Sequence, residues 1–175
     1  FVYDGNEHTI SGYDFESNDP LYIEDYMRFT GTESDSTSKG TTVGSYGMNF
    51  NETYFENMNK NFKDVEFIVN SADSLRIMPL EDVVVTITEH SDNLVYDGES
   101  HLVKGYDVNI SNPLYKESDF TFEGNDVILG TDAGTYDMNL KPEDFKNINE
   151  NFANVTFVIR DGQLVITPLD VIVTI

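Results

Sequence analysis

The chain has no cysteine and no tryptophan, five prolines, and only ten Lys and Arg against 32 Asp and Glu. Without cysteine there is no disulfide, no thiolate zinc site and no thiol nucleophile. The shortage of bases leaves a formal net charge of −22, which repels phosphate backbones and anionic head groups and so disfavours nucleic acid and membrane-surface partners. No apolar run approaches the roughly 18–20 residues that cross a bilayer, so no membrane insertion is expected from this stretch. An initiator Met and a leader are also missing. The chain begins at Phe1 and reads as an excised fragment whose targeting or anchoring signals lie outside it. Chemistry-bearing motifs are equally scarce: there is no Gly-x-Ser-x-Gly nucleophile turn and no Asp-x-Asp-x-Asp-Gly calcium loop.

What the chain does have is itself twice. Val2-Tyr3-Asp4-Gly5 returns as Val95-Tyr96-Asp97-Gly98, Gly12-Tyr13-Asp14 as Gly105-Tyr106-Asp107, and Pro20-Leu21-Tyr22 as Pro113-Leu114-Tyr115, always 93 positions later. Gly40-Thr41-x-x-Gly44-x-Tyr46 recurs as Gly130-Thr131-x-x-Gly134-x-Tyr136, 90 positions later, because the segment at 33–39 is longer in the first copy. Val83-x-Val85-Thr86-Ile87 matches Val171-x-Val173-Thr174-Ile175. Smaller length differences at 71–74 and 81–82 also fall in polar, turn-like stretches, where insertions disturb a core least. Charge follows the duplication: residues 1–87 and 88–175 each hold 16 acids and 5 bases, or −11 apiece. Two modules are expected, 1–82 and 83–175, each of about 85 residues and able to enclose one core. The run at 83–88 either closes the first module or opens the second. On the second reading, 169–175 is the first strand of a following repeat.

Within a module the pattern is β-rich. Val83-Val84-Val85-Thr86-Ile87 is β-branched, and Thr135-Tyr136-Asp137-Met138-Asn139-Leu140 alternates at period two. Arg160-Asp161-Gly162 between two β-rich runs predicts a hairpin. One stretch departs from this pattern: Phe145, Ile148 and Phe152, with Pro142 and acids ahead of them, are spaced for a short helix over 142–152, as are Phe55, Met58 and Phe62 in the first copy. The expected class is therefore mainly β: two tandem small antiparallel modules, each with one short helix. A β-grasp-like arrangement is favoured over an immunoglobulin-like sandwich.

At Tyr-Asp-Gly, at Ala133-Gly134-Thr135-Tyr136 and at Asp161-Gly162-Gln163-Leu164-Val165-Ile166-Thr167-Pro168, the sequence resembles the YDG/MBG-type repeats of bacterial cell-surface and adhesin-like proteins. The resemblance covers both copies. The first departs from it at Val43-Gly44-Ser45-Tyr46 and at Asn70-Ser71-Ala72-Asp73-Ser74, where its last turn is expected to differ. It implies tandem, non-enzymatic domains on a large extracellular protein, secreted or held at the bacterial surface.

Residue by residue, the chemistry is thin. His8 and His101 share a register and His90 stands alone, which favours strand-surface roles over metal ligation. No lysine is common to the two copies, so a Lys-to-Asn crosslink intrinsic to the module is not expected. Tyr3/Tyr96, Tyr13/Tyr106 and Tyr22/Tyr115 read as packing tyrosines rather than sugar platforms. The best cation candidates are Glu81, Asp82, Glu89 and Asp92, hard oxygen donors near the module junction that suit Ca2+. The best binding candidate is the Ser/Thr/Gly-rich segment at 30–42. The function expected is a non-enzymatic, extracellular stalk or spacer without cofactor, monomeric; the alternative is a module for a host glycan or glycoprotein, stiffened by calcium.

Overall fold

A computed structural model describes residues 1–70 and 74–175 and divides the chain into two compact units, Phe1–Pro79 and Leu80–Ile175. Both are mainly β, built of small sheets in which most pairings are antiparallel. The predicted turn at 71–73 lies outside the described residues.

The first unit contains β1 (His8–Ser11), β2 (Met27–Phe29), β3 (Thr37–Gly40), β4 (Gly44–Tyr46), β5 (Phe55–Asn57) and β6 (Leu75–Ile77). They pair as β1–β3, β2–β5 and β4–β6, and Val2 bridges Met78 in parallel. The second unit contains β7 (Val84–Glu89), β8 (Asp92–Val95), β9 (His101–Lys104), β10 (Tyr106–Ile110), β11 (Phe120–Phe122), β12 (Val127–Gly130), β13 (Gly134–Asp137), β14 (Phe145–Asn147), β15 (Thr156–Arg160) and β16 (Gln163–Thr167). The pairings of the first unit all recur here, as β9–β12, β11–β14, β13–β16 and β8 beside β16. The second unit adds a three-stranded sheet, β10–β7–β15, with no counterpart among the strands of the first.

That sheet answers where 83–88 belongs: β7 is the central strand of the second unit. It runs antiparallel to β10 and parallel to β15. Its period-two alternation is fully used, because Val83, Val85 and Ile87 are 0% exposed while Val84 and Thr88 face outward. Around them, Phe145 meets Phe122, Tyr106, Phe157 and Phe120 at ring-centroid distances of 4.8, 5.4, 5.5 and 6.0 Å. Among the described residues, thirteen buried apolar side chains lie in the second unit and only Tyr22, Leu75 and Ile77 in the first.

Two expectations are corrected. No α-helix occurs among the described residues; 142–152 is a single 3-10 turn, Pro142–Asp144, followed by β14, and the first unit has Glu52–Tyr54 followed by β5. The helix on which the β-grasp-like reading rested is thus missing. Asparagine explains this, because its side chain competes for the backbone groups a helix needs. Asn147 Oδ1 accepts from Asn149 N–H at 3.0 Å, Asn149 Oδ1 accepts from Asn151 N–H at 3.0 Å, and Asn147 Nδ2 donates to Phe152 O at 3.0 Å. Asn57 and Asn59 repeat the arrangement. The three-and-four spacing of Phe145, Ile148 and Phe152 is that of a strand followed by a tight coil, with Phe145 and Phe152 buried and Ile148 exposed.

The Asp161-Gly162 hairpin is also absent. β15 and β16 lie in different sheets, so the dipeptide is a corner at which the chain crosses from one sheet to the other. β7 and β8 turn the same corner beside it at His90-Ser91, which is why both strand pairs, β7–β15 and β8–β16, are parallel rather than antiparallel as expected. Glycine is required sterically: a Cβ at residue 162 would come within 2.6 Å of Glu89 O, a backbone atom with nowhere to go.

Candidate functional site

The residues that recur between the copies are the natural place to look for a site, and those among them that make side-chain hydrogen bonds brace a turn or the core. In the second unit Asp97 Oδ1 accepts from the Glu99 N–H at 2.9 Å and lies 2.9 Å from His101 Nε2. In the first, Asp4 Oδ1 accepts from Asn6 N–H at 2.9 Å and lies 3.0 Å from His8 Nε2. Gly5 and Gly98 follow at φ +80° and +85°, a left-handed conformation that only glycine adopts freely. The Tyr-Asp-Gly signature is therefore an Asx turn with a histidine strut, and the shared register of His8 and His101 is accounted for.

The backbone N–H first and the imidazole second hold the Asp97 carboxyl below its ordinary value of 3.8. A depressed carboxyl contributes stability that is fully present above the unfolded-state value and is lost as pH falls through the folded-state value. The Asp97→Asn chain is thus expected to show a shallower loss of unfolding midpoint between about pH 4 and pH 2 than the parent chain. Thermal unfolding followed by circular dichroism across that range checks this; superimposable profiles would remove the turn from the acid response. His90, which has no counterpart in the first copy, lies 2.8 Å from Lys104 O through Nδ1 and 3.3 Å from Asp107 Oδ1 through Nε2. The backbone carbonyl first and the carboxylate second raise its proton affinity above the ordinary imidazole value.

The Pro-Leu-Tyr tyrosines belong to the interior. Tyr115 donates its hydroxyl to Asp119 O at 3.1 Å and Asn147 Oδ1 at 3.0 Å, and burial followed by the Asp119 charge pushes its pKa up to about 12. Tyr22 meets Tyr26 O and Asn57 Oδ1 in the same way, at 3.4 and 3.3 Å. In the Gly-Thr-x-x-Gly-x-Tyr stretch the Tyr136 ring lies over Gly130, where a Cβ would come within 2.7 Å of it, and its hydroxyl donates to Asp132 O at 2.9 Å.

The four acids considered for calcium have different fates. Glu81 and Asp82 are exposed just ahead of β7, and Asp82 has a left-handed backbone at φ +62°. Asp92 opens β8 beside a shallow depression lined by Ser91, Asn93, Asp161 and Gln163. Glu89 is 3% exposed, and its two oxygens accept from Leu140 N–H at 2.8 Å and Gly162 N–H at 2.7 Å. Among the described residues no three His, Asp or Glu side chains gather so as to hold a metal ion. Sequence reading missed the role of Glu89, although a lone acid two positions beyond Ile87 on the inward face of an apolar strand was the available signal.

The segment at 30–42 is a braced turn feeding a strand. Asp35 Oδ2 accepts from Thr32 N–H at 2.8 Å and from Thr32 Oγ1 at 2.6 Å, and these bonds lower its carboxyl pKa. Ser38, buried in β3, donates to Tyr46 O at 2.6 Å.

A broad concavity is lined by residues of the first unit alone. It is a groove of about 1240 Å3 whose walls are 13–17 on one side and 65–70 on the other, with Phe55 and Phe62 in its lining. These two walls are the sequence counterparts of β10 and β15, yet neither forms a strand.

The family model of the MBG domain matches residues 83–168. No curated protein and no solved structure matches the chain.

Proposed function

Residues 83–168 belong to the MBG domain family, and from that membership together with the duplication we propose that the chain is a non-enzymatic stretch of repeats in an extracellular bacterial surface protein, an adhesin-like stalk that acts as a spacer. One observation carries the reading: what recurs between the copies is scaffold. Asp97, Gly98 and His101 hold a turn, Tyr115 and Asn147 hold the core, and Gly130 receives the ring of Tyr136. Copying a scaffold multiplies length, which suits a spacer, whereas a catalytic constellation needs only one location. A charge of −11 on each half disfavours collapse and non-specific adhesion.

The test is a binding screen of the whole chain against immobilised glycans and mucins, with calcium and with chelator, alongside a check that the protein is folded. Silence under both conditions is the expected result. Selective, saturable binding would overturn the spacer reading in favour of a glycan-recognising module, and binding seen only with calcium would make it a calcium-stiffened one.

A further inference from the structure

We propose that Asn51 is an acceptor for N-linked glycosylation, selected over the other two sequons of the chain by the turn that holds it. The three Asn-x-Ser/Thr sequons are Asn51-Glu52-Thr53, Asn109-Ile110-Ser111 and Asn154-Val155-Thr156, and all three asparagines are exposed. No sequon is shared by the two copies, since Lys141, Glu16 and Asp64 stand at the sister positions. Motif and exposure do not choose between the three. Hydrogen bonding does.

An amide nitrogen is a poor nucleophile because its lone pair is delocalised into the carbonyl. To attack a sugar, Nδ2 must give up a proton while negative charge passes to Oδ1, and donors already aimed at Oδ1 stabilise that charge. At Asn51 both donors of the second residue beyond are so aimed: Oδ1 accepts from the Thr53 N–H at 2.9 Å and from the Thr53 hydroxyl at 2.7 Å. The Tyr54 N–H closes the turn on Asn51 O at 2.9 Å, and among the described residues Asn51 Nδ2 makes no hydrogen bond. The other sequons commit these donors elsewhere. Ser111 N–H donates to Val84 O at 2.9 Å, Ser111 Oγ accepts from Val84 N–H at 2.9 Å, and Asn109 is held in β10 opposite Thr86. Thr156 N–H donates to Val83 O at 2.8 Å at the head of β15, behind Asn154 with its left-handed backbone at φ +53°.

The donor chemistry is a glycosyl diphosphate, carried on a nucleoside or a lipid and presented by a transferase. Asn51 Nδ2 attacks the anomeric carbon, the bond from that carbon to the diphosphate oxygen breaks with its electron pair leaving on the diphosphate, and the Nδ2 proton passes to a base of the transferase. Nothing is oxidised or reduced. A sugar here enlarges the hydrophilic surface of the first unit without adding charge. The acceptor role is independent of the spacer reading, because receiving a glycan and binding one are separate events.

The experiment incubates the folded chain in two arms, one with a soluble N-glycosyltransferase and a UDP-linked hexose, the other with a membrane oligosaccharyltransferase and a lipid-diphosphate-linked oligosaccharide. Both enzymes read Asn-x-Ser/Thr, and mass spectrometry of proteolytic fragments maps the sites. Sugar is expected on Asn51, and the arm in which it forms identifies the carrier. Asn109 and Asn154 are expected to lag by about tenfold or more, the effect of one hydrogen bond to a developing charge. Short synthetic peptides of the three sequons, which lack the fold, should react at similar rates. Thr53→Val keeps the N–H but removes the hydroxyl and is expected to slow transfer about tenfold or more, whereas Thr53→Ser retains it, both with the parent circular dichroism spectrum. No sugar in either arm, a preference for Asn109 or Asn154, peptides that reproduce the preference of the folded chain, or a Thr53→Val chain modified as fast as the parent each overturns the proposal.

Discussion

Replacing Glu89 with alanine is expected to cost the second unit about 3–5 kcal/mol. The carboxylate is 3% exposed and accepts from two backbone N–H groups, those of Leu140 and Gly162, which lie 51 and 73 residues away. Gly162 lies at the corner already brought to the end of β7 by the β7–β15 and β8–β16 pairings, whereas Leu140 follows β13 and is tied to that end through the carboxylate. Alanine leaves both donors buried without an acceptor, at about 1–3 kcal/mol each, and leaves the volume of the side chain empty as well. Water does not readily substitute, because the Glu89 side chain is shut in by the corner itself: the carbonyls of Glu89 and His90 already crowd Gly162. Glu89→Gln separates the contributions. It preserves the shape and one carbonyl acceptor but turns an NH2 toward the second N–H, so its cost is expected to fall between those of the parent and the alanine chain. Amide hydrogen exchange reads the two units independently: protection at Leu164 should drop in both variants while protection at Leu75 holds. A loss under about 1 kcal/mol for Glu89→Ala would mean that the corner is held by strand pairing alone.

The duplication, the β-rich class and the family resemblance are legible in the amino-acid sequence because they rest on tetrapeptides whose order and spacing recur. Each of those resolves into a physical device: an Asx turn for Tyr-Asp-Gly, a ring seated on glycine for Gly-Thr-x-x-Gly-x-Tyr, a bonded core hydroxyl for Pro-Leu-Tyr. What is not legible depends on long-range pairing. Apolar spacing of three and four suits a helix, but here Asn147 and Asn149 satisfy the local backbone and a strand-plus-coil places the same residues inward. Asp161-Gly162 has the composition of a hairpin, and only the partners of β15 and β16 reveal a corner. Glu89 stands out among 32 acids only through its place in the inward alternation of Val83, Val85 and Ile87, and its two backbone partners, far away in the chain, appear only in the fold. The groove is hidden for a further reason. It depends on whether 13–17 and 66–70, the counterparts of β10 and β15, form strands, and their composition does not tell that.

Comparing sister phenylalanines measures what the cover of β7 contributes to the core of the second unit. Phe145→Ala is expected to cost about 3–5 kcal/mol, the range for a large aromatic removed from a well-packed core, since Phe145 is 4% exposed and touches four other rings. Phe55 is its counterpart and also meets four rings, Phe29 at 5.3, Tyr13 at 5.4, Phe67 at 5.8 and Phe50 at 6.1 Å. Three of these rings are counterparts of those around Phe145, with Phe50 standing where the second unit has Leu140, but Phe55 borders the open groove and is only partly covered. Truncating it removes less buried surface and leaves a void continuous with solvent rather than an enclosed cavity, so Phe55→Ala should cost less than Phe145→Ala by at least about 1 kcal/mol. Urea unfolding of each variant at low protein concentration, with Leu75 and Leu164 resonances reporting the two units, gives both numbers. Equal costs would show that the first unit completes its core without a central strand.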